Sequence, residues 1–380
     1  MGFNTIAVHG GIKDESKKAI NPPVYLSSTF IQPDTETEGE YCYSRGNNPT
    51  RASVEDLAAS LEGARFAIAA SSGMAATSLV FELIKEGEKI LINNNVYGGT
   101  WRFVSNLFEN RGLDYEIVDD FNTYDLEKSN AKLVFIETPS NPLLEVTDIG
   151  RVCDLAHKKN MLVVVDNTFM TSYLQRPLEL GADIVVYSAT KYYGGHSDIL
   201  AGLILLNDEA LYERFRFLRN TLGGILSPFD SFLLMRGMRT LALRMDKQQE
   251  NAKKLAEFLE GHDAADRVYY PGLNSNKGYE IQQRQAKGPG AVLSFELNEK
   301  DYDLKTFVSN LRYFAFAVSL GGVESLICRP STMTHESYKK ELQEKIGIKP
   351  NLLRLSPGIE DIDDLLDDLK NAFIRARRTL

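Results

Sequence analysis

The stretch DIVVYSATKYYGGHSD, residues 183–198, contains a short apolar run that ends at Tyr187 and a lysine, Lys191, just beyond it. Two small hydroxyl residues, Ser188 and Thr190, precede the lysine, and a Gly-Gly pair follows it closely. The run DIVVY has the length and the valine and isoleucine content of a buried strand. It therefore predicts a strand that brings Lys191 to its carboxyl end. Because a lone lysine is most often solvated, its use depends on what neighbouring strands bring to the same edge.

Five further apolar runs are similar to DIVVY, and segments of helical pattern separate several of them. Continuous apolar strands that alternate with helices favour an α/β fold with a mostly parallel sheet covered on both faces. The further runs are KILIN (89–93), DYEIV (114–118), KLVFIE (132–137), MLVVVD (161–166) and GLILL (202–206). Sheets of this kind bind ligands at the carboxyl ends of their strands, so we expect the functional residues there.

The pattern divides the 380 residues into three predicted parts. Residues 1–45 have little periodicity and predict an irregular arm, residues 46–242 contain the alternating pattern, and residues 243–380 predict a smaller C-terminal domain. Within these parts, Thr50 is predicted to cap the first long helix and Gly63 to end it. A long helix is predicted over 229–261, with a kink at Gly237, and the C-terminal domain is predicted to contain a strand at 291–297 and an amphipathic closing helix.

Composition and charge narrow the choice of partner and compartment. The net charge of −9 argues against a nucleic-acid partner, and no run approaches the ~20 apolar residues of a membrane span. The first residues, MGFNTIAVHGG, lack the pattern of a signal peptide. The three cysteines are too widely spaced to predict a disulfide framework or a zinc site. We therefore expect a cytoplasmic protein without a metal site, a membrane span or a nucleic-acid partner.

Several residue types that suit one cofactor follow the predicted strands. Asp166 ends MLVVVD, Tyr97 follows KILIN, and the segment SSGMAA (71–76) begins a predicted helix at Gly73 and Met74. Each has a simple structural explanation taken alone, as a helix cap, a packing ring or a turn. Their combination with the lysine is harder to explain by structure alone.

Together these residues meet the requirements of pyridoxal phosphate (PLP). Its aldehyde forms a Schiff base with a lysine amine, its pyridine nitrogen needs a carboxylate, and its ring stacks on an aromatic side chain. Its phosphate binds amides at a helix N-terminus and nearby hydroxyls. We therefore predict PLP as the cofactor. The predicted holders are Lys191 for the aldehyde, Asp166 for the nitrogen, Tyr97 for the ring, and Gly73, Met74, Ser188 and Thr190 for the phosphate.

The order and spacing of the motifs resemble the Cys/Met-metabolism family of PLP enzymes, the trans-sulfuration enzymes. That family includes cystathionine γ-synthase, cystathionine γ-lyase, many cystathionine β-lyases and methionine γ-lyase. The resemblance covers about residues 3–375. The motifs are YSRGNNPTR (43–51), SSGMAA (71–76), VYGGT (96–100), ETPSNP (137–142), VDNTF (165–169), SATKYYGGHSD (188–198), SLGGVESL (319–326), MTH (333–335) and LLRLSPGIED (352–361).

The resemblance implies the fold and the further site residues. The fold would be fold type I, similar to aspartate aminotransferase, with a large domain around a mostly parallel seven-stranded sheet and a smaller α+β C-terminal domain. Lys191 would form the Schiff base and move the α-proton, and Tyr97 would stack on the cofactor and take part in proton transfer. Arg354 would bind the substrate α-carboxylate, assisted by Asn141 and Ser319.

The resemblance also implies a partner copy of the chain. Tyr43 and Arg45 correspond to the pair that reaches the neighbouring subunit's cofactor phosphate. The arm would then complete another subunit's site, which implies an obligate dimer and, as is usual in the family, a homotetramer.

The residue at position 318 helps to predict which sulfur amino acid is the substrate. Cystathionine γ-synthases and γ-lyases commonly have a glutamate before SLGG, which can pair with the distal ammonium of cystathionine, whereas this chain has Val318. The valine favours a shorter, apolar substrate, so we expect a PLP-dependent carbon–sulfur lyase that performs α,γ-elimination on methionine, homocysteine or cystathionine. The products would be 2-oxobutanoate, ammonia and a thiol. Methionine γ-lyases, however, usually have a cysteine where this chain has Gly99, so the match to them is partial.

Other functions remain open at this stage. One is a cystathionine β-lyase, which would release pyruvate, ammonia and homocysteine. Another is a replacement enzyme, cystathionine γ-synthase or a homoserine-ester sulfhydrylase. A third, from a different class, is a non-catalytic PLP-binding regulatory protein. A substrate clamp such as Arg354 argues against that last function, because storage of a cofactor needs no clamp.

Overall fold

The computed structural model describes residues 1–12, 18–37 and 39–378, and its largest element is a seven-stranded sheet. The strand order is β1-β7-β6-β5-β4-β2-β3. All strands run in one direction except β7, which is antiparallel to both of its neighbours. This confirms the predicted α/β fold with a mostly parallel sheet. The strands are β1 Phe66–Ala70, β2 Lys89–Asn93, β3 Asp114–Val118, β4 Leu133–Glu137, β5 Leu162–Asp166, β6 Ile184–Ser188 and β7 Gly202–Leu206.

Helices cover both faces of this sheet, which explains its continuous apolar strands. Along β6, Val185 and Tyr187 pack into one buried cluster, while Ile184 and Val186 pack into another on the opposite face. The helices up to this point of the chain are α1 Phe3–His9, α2 Pro49–Glu62, α3 Gly73–Phe81, α4 Gly98–Leu107, α5 Ile149–His157, α6 Thr171–Leu174, α7 Glu209–Leu222 and α8 Pro228–Met238. Short 3₁₀ helices lie at Glu109–Arg111, Leu126–Lys128, Pro177–Leu180 and, later, Pro330–Thr332.

The C-terminal part of the chain builds a second, smaller sheet with helices beside it. Its strand order is β10-β11-β12-β9-β8, and only the β10–β11 pair is parallel. Its strands are β8 Ala265–Tyr269, β9 Leu293–Leu297, β10 Ala315–Phe316, β11 Leu326–Cys328 and β12 Leu352–Ser356. Its helices are α9 Leu241–Glu260, α10 Tyr279–Gln285, α11 Leu304–Ser309, α12 Lys340–Ile346 and α13 Ile362–Ala376. The part boundaries after residues 45 and 242 stay predictions, and residues 13–17 and Glu38 of the arm lie outside the described residues.

The cap of α2 differs from the prediction. Asn48, not Thr50, caps the helix, since its Oδ1 accepts hydrogen bonds from the backbone amides of Thr50 and Arg51. The Thr50 hydroxyl instead donates to the carbonyl of Pro23 at 3.2 Å and accepts from the amide of Tyr25 at 2.9 Å. Thr50 therefore fastens the arm to α2.

The long helix predicted over 229–261 is in fact two helices, α8 and α9, separated by two residues. Gly237 lies within α8, where an added Cβ would meet the carbonyl oxygen of Gly194 at 2.2 Å. The glycine thus permits α8 to pack directly on the backbone that follows Lys191. Arg244 of α9 also donates to the carbonyls of Tyr192 and Gly237, each at 2.6 Å. Together, α8 and α9 therefore pack against the backbone of residues 192–194, which directly follows Lys191.

A buried carboxyl, that of Glu62, lies at the end of α2. Its Oε2 accepts a hydrogen bond from the Tyr187 hydroxyl at 2.5 Å, and its Oε1 has no partner among the described residues. Burial raises the pKa of Glu62 to about 8, although the Tyr187 hydrogen bond and the charge of Arg176 act in the opposite direction. Glu62 is therefore mostly protonated at neutral pH in the folded chain.

We expect the Glu62→Gln substitution to remove a pH-dependent loss of stability. Between the usual carboxyl pKa of 4.5 and the folded value of about 8, the folded chain keeps a proton that the unfolded chain releases. The free energy of unfolding should therefore fall as pH rises through this range, by up to about 1.4 kcal/mol per pH unit. Urea unfolding between pH 5 and pH 8 should show an advantage of the variant that grows with pH. Glu299→Gln, a change at an exposed carboxylate that does not act on Glu62, is the control, and parallel curves for wild type and Glu62→Gln would contradict the expectation.

Candidate active site

The carboxyl ends of three neighbouring strands bring the predicted residues together. In the register of the sheet, Glu137 at the end of β4 pairs with Asp166 at the end of β5, and Lys191 follows the end of β6. A cavity of about 670 Å³ opens at this edge. Eleven of the predicted site residues line it, namely Gly73, Met74, Tyr97, Asn141, Asp166, Ser188, Thr190, Lys191, Val318, Ser319 and Arg354.

The amine of Lys191 lies in the cavity with an altered proton affinity. Its Nζ donates a hydrogen bond to Oγ of Ser319 at 2.8 Å. Burial, and secondly the positive charge of Arg354, lower the pKa of Lys191 from 10.5 to about 8. This raises the neutral fraction of the amine at neutral pH by more than about a hundredfold. A neutral amine is the form that attacks an aldehyde or accepts a proton.

Arg354, on β12, presents a buried guanidinium to the cavity. Its Nη1 donates to Oδ1 of Asn141 at 2.9 Å and its Nη2 to the carbonyl of Ser319 at 2.8 Å. Its Nε is buried without a hydrogen-bond partner, and no carboxylate of the described residues forms an ion pair with it. Ser319 has φ +91°, a left-handed conformation unusual for a residue other than glycine. Because neutral groups alone fix the guanidinium, its charge is available for an anionic ligand.

Glu137, which is buried, and Asp166, which is partly exposed to the cavity, form a carboxylate pair at the ends of adjacent strands. Burial, and then the charge of Asp166, raise the pKa of Glu137 well above its usual value. Burial also raises the pKa of Asp166, although two hydrogen bonds from Thr168 act against it. Two adjacent buried carboxylates cannot both ionise easily without a cation nearby. A protonated pyridine nitrogen is such a cation, so this pair fits the ring of PLP.

The N-terminus of α3 is suited to an anion. Ser72 caps the helix by accepting a hydrogen bond from the amide of Ala75 at 3.0 Å, which leaves the amides of Gly73 and Met74 for a ligand. An added Cβ on Gly73 would meet the Cβ of Ser188 at 2.7 Å, so the glycine lets the helix end pack on β6. This end of the cavity therefore fits the phosphate of PLP.

Hydrogen bonds from two directions hold the backbone around Tyr97. Its amide donates to Oε2 of Glu137 at 2.8 Å, and the preceding carbonyl of Val96 accepts hydrogen bonds from Nε2 of His335 and the hydroxyl of Tyr338, each at 3.1 Å. Burial lowers the pKa of His335 to about 3, so this histidine is neutral and structural. The half-exposed Tyr97 ring faces the cavity, in position to cover a bound cofactor.

Close packing explains the glycine at residue 99. An added Cβ on Gly99 would meet Cε1 of the Tyr97 ring at 2.5 Å and Sδ of Met74 at 2.8 Å. A cysteine at this position would therefore displace the ring from its present place. This is the physical consequence of the departure from methionine γ-lyases noted in the sequence.

Two predicted residues, Tyr43 and Arg45, lie outside the cavity of their own chain. The Arg45 guanidinium lies 5.5 Å from the centroid of the half-exposed Tyr43 ring, and its Nε donates to Oδ1 of Asn220 at 3.2 Å. The buried Arg51 holds this segment through a hydrogen bond to the carbonyl of Ser44 at 2.7 Å. The role of Tyr43 and Arg45 in a neighbouring subunit stays a prediction.

Sequence reasoning missed three charged residues that line the cavity: Glu137, Arg102 and Glu324. Glu137 was detectable, because it ends a predicted strand as Asp166 does. Glu324 lies in the SLGGVESL motif, and nothing in its sequence context distinguished it from a surface glutamate. Within the described ranges, no helix combines the length and apolar character needed to cross a membrane, and no group of His, Cys, Asp and Glu could hold a metal ion.

Comparison with known proteins identifies the family. The family described as Cys/Met metabolism PLP-dependent enzyme matches residues 4–374. A cystathionine beta-lyase of Lactococcus lactis is 49% identical over 375 residues, and a cystathionine gamma-lyase of Bacillus subtilis is 44% identical over 377 residues. These matches cover 98% of this chain in both cases and 98% and 99% of the two relatives.

A solved structure is similar over its full length. The crystal structure of cystathionine gamma-lyase from Lactobacillus plantarum complexed with L-serine has a TM-score of 0.97 and 42% identity, with 100% of both chains covered. The comparisons confirm PLP as the cofactor and amino acids, as free small molecules, as the kind of substrate. This chain is a PLP-dependent enzyme of the carbon–sulfur lyase type, and it belongs to the Cys/Met metabolism PLP-dependent enzyme family.

Proposed function

We propose that the enzyme performs α,γ-elimination on sulfur amino acids such as methionine, homocysteine or cystathionine. The observation that carries this proposal is Val318, which lines the cavity next to Ser319 with 56% of its surface exposed. An apolar side chain at this place suits the methylene and thioether groups of a substrate with sulfur on its γ-carbon. The products would be 2-oxobutanoate, ammonia and a thiol.

The chain's own residues would bind the substrate and move its protons. The Arg354 guanidinium would bind the α-carboxylate, and its hydrogen bonds to Asn141 and to the carbonyl of Ser319 would fix its orientation. When bound, PLP supplies an electron sink that makes the proton on the substrate α-carbon acidic. The Lys191 amine would accept this proton, deliver it to the bound substrate and cofactor, and then, as a neutral amine again, accept one from the β-carbon, since γ-elimination removes both. Tyr97 would cover the ring, and its hydroxyl is the second group that can transfer a proton.

The roles proposed for the cofactor-holding residues follow from the same cavity. Asp166 would hold the proton of the pyridine nitrogen, with Glu137 beside it. The amides of Gly73 and Met74 and the Ser188 hydroxyl would hold the phosphate. The Thr190 hydroxyl already exchanges hydrogen bonds with the backbone of Ala201, at 2.9 and 3.3 Å, so its contribution would be to the shape of the site as well.

A second candidate is β-elimination of cystathionine to pyruvate, ammonia and homocysteine. The name of the Lactococcus lactis relative, which is 49% identical, favours it. The same lysine and arginine would serve both reactions. The difference lies in which carbon of the bound substrate carries the sulfur.

Identification of the released oxo acid tests both candidates. Purified enzyme with PLP would receive methionine, homocysteine, cysteine and cystathionine in turn. 2-Oxobutanoate from methionine, homocysteine or cystathionine would support α,γ-elimination, and pyruvate from cystathionine with little else would support the second candidate. If no sulfur amino acid yields an oxo acid, both proposals fail. Homoserine esters with a thiol would then test whether the protein is a replacement enzyme.

We also propose that a second copy of the chain completes the site. The exposed positions of Tyr43 and Arg45 support this, as do the apolar side chains of Ile20 and Ile31 in the arm, which are 96% and 100% exposed. The mass of the holoenzyme in solution should be that of a dimer or tetramer. The double variant Tyr43→Phe, Arg45→Ala should bind PLP at least about tenfold more weakly, because a phosphate would lose its charged partner; unchanged affinity would refute the cross-subunit role.

The three cysteines are free thiols, which supports the cytoplasm as the compartment.

A further inference from the structure

One buried glutamine, Gln175, contacts the chain beside the carboxylate pair but does not line the cavity. It directly follows α6 and is only 2% exposed. Its Nε2 donates a hydrogen bond to Oδ1 of Asn167 at 2.9 Å and another to the carbonyl of Thr138 at 3.4 Å. Asn167 follows Asp166 in the chain, and Thr138 follows Glu137. One side-chain amide therefore connects the two residues that come directly after the carboxylates.

This connection begins where the pairing of the two strands ends. The paired register of β4 and β5 stops at Glu137 and Asp166. The charge of Asp166 raises the pKa of Glu137, which shows that the two carboxylates repel each other when both are ionised. Repulsion at the last paired position acts to separate the strand ends. The hydrogen bonds of Gln175, one residue further along both strands, oppose that separation.

Both ends of the Gln175 amide are held in place. Asn167 returns the contact, since its Nδ2 donates to the backbone carbonyl of Gln175 and to the Tyr187 hydroxyl, each at 2.8 Å. On the other side, Nε2 of Gln285 in α10 donates to Oε1 of Gln175 at 3.2 Å. Both polar atoms of the Gln175 side chain thus have partners, and these partners fix where the amide lies. A fixed amide can set the distance between the strand ends.

We propose that Gln175 is a positioning residue for the cofactor: it fixes the spacing of Glu137 and Asp166 and thereby how strongly this pair holds the pyridine nitrogen of PLP. The inference rests on the roles proposed for the two carboxylates and is independent of which sulfur amino acid reacts. The attraction between a carboxylate and a protonated nitrogen weakens with distance. Spacing at the strand ends therefore controls how firmly the ring is kept in its protonated form, the form that withdraws electrons.

The test compares two cofactors that differ only at the ring nitrogen. PLP competes with 1-deazapyridoxal phosphate, in which a CH group replaces that nitrogen. Holoenzyme is equilibrated with known mixtures of the two, and chromatography of the cofactor released on denaturation gives the ratio bound. The wild type should prefer PLP by about 10- to 100-fold, the range for a hydrogen bond to a charged group. A general weakening of the site affects both forms equally and cancels in this ratio.

Gln175→Met should lower the preference for PLP by about 3- to 10-fold, because methionine fills the space but cannot connect the strand ends. The matched control is Gln282→Met. Gln282 is equally buried and donates to the carbonyl of Gly288 at 2.8 Å, but it has no hydrogen bond to either strand end, so its loss should leave the preference unchanged. Gln285→Met removes only the outer support of Gln175 and should lower the preference by a smaller factor.

Each outcome decides the inference. An unchanged preference in Gln175→Met, even with less cofactor bound in total, would show that Gln175 is only structural and would overturn it. An equal loss in Gln282→Met would overturn it as well, as would a wild type that binds both cofactors alike. If Gln175→Met yields no folded protein, Gln285→Met decides, and an unchanged preference there would count against the inference. A wild type that prefers PLP as expected but releases no oxo acid would contradict the proposed function alone.

Discussion

Replacing Lys191 with alanine is expected to lower kcat by about 10⁴-fold or more, because its amine is proposed both to hold the cofactor aldehyde and to move the substrate protons. The surroundings of Lys191 support this expectation. Burial and the neighbouring Arg354 lower the pKa of its amine to about 8, and Ser319 fixes its position at 2.8 Å. An alanine has no group that could take over either task.

The control is Lys191→Arg, which keeps a positive charge and hydrogen-bond donors towards Ser319. A guanidinium does not lose its proton at neutral pH, so this variant should be as inactive as the alanine variant. A second measurement is independent of turnover: after borohydride treatment, mass spectrometry should find the cofactor on the Lys191 peptide of the wild type and on neither variant. Turnover within tenfold of wild type in either variant would refute the assigned role.

Replacing Arg354 with alanine is expected to lower kcat/KM by about 10²- to 10³-fold, the range for loss of one partner of a buried, hydrogen-bonded charge pair. The cofactor content should stay near that of the wild type. Arg354 is only 3% exposed, and neutral groups, Asn141 and the carbonyl of Ser319, orient its guanidinium. No carboxylate of the described residues forms an ion pair with it, so its charge can serve a substrate carboxylate.

Two comparisons distinguish the carboxylate role of Arg354 from a structural one. Arg354→Lys keeps the charge but loses the planar fork, so it should recover only part of kcat/KM. The methyl ester of the preferred substrate has no α-carboxylate. Wild type should use this ester poorly, whereas Arg354→Ala should treat ester and acid alike. A variant that still prefers the acid by the wild-type ratio would show that another group binds the carboxylate.

Most of the large sheet follows from its sequence, because strands buried on both faces need long apolar runs. β2 and β6, for example, are KILIN and IVVYS, and the residues after them were predicted to be functional. β1 was not predicted, since FAIAA is rich in alanine, which has little preference for strands. Thr50 was wrongly taken as the cap of α2 because two candidate caps lie two residues apart, and only the backbone conformation selects Asn48. Likewise, helical pattern continues from α8 to α9, although Arg239 and Thr240 separate the two helices.

The sequence by itself was enough to predict the candidate cofactor residues, since Lys191, Asp166 and the start of α3 belong to local strand-to-loop and loop-to-helix patterns that can be recognised within a few residues. Only the tertiary structure decided which charged side chains interact and which side chains line the same cavity. It set Glu137 beside Asp166 through strand register, joined Arg354 to Asn141 across 213 residues of chain, and placed Glu324 in the cavity with Val318. The physical reason is that burial and Coulomb interaction depend on distances in space, which local residue patterns do not specify.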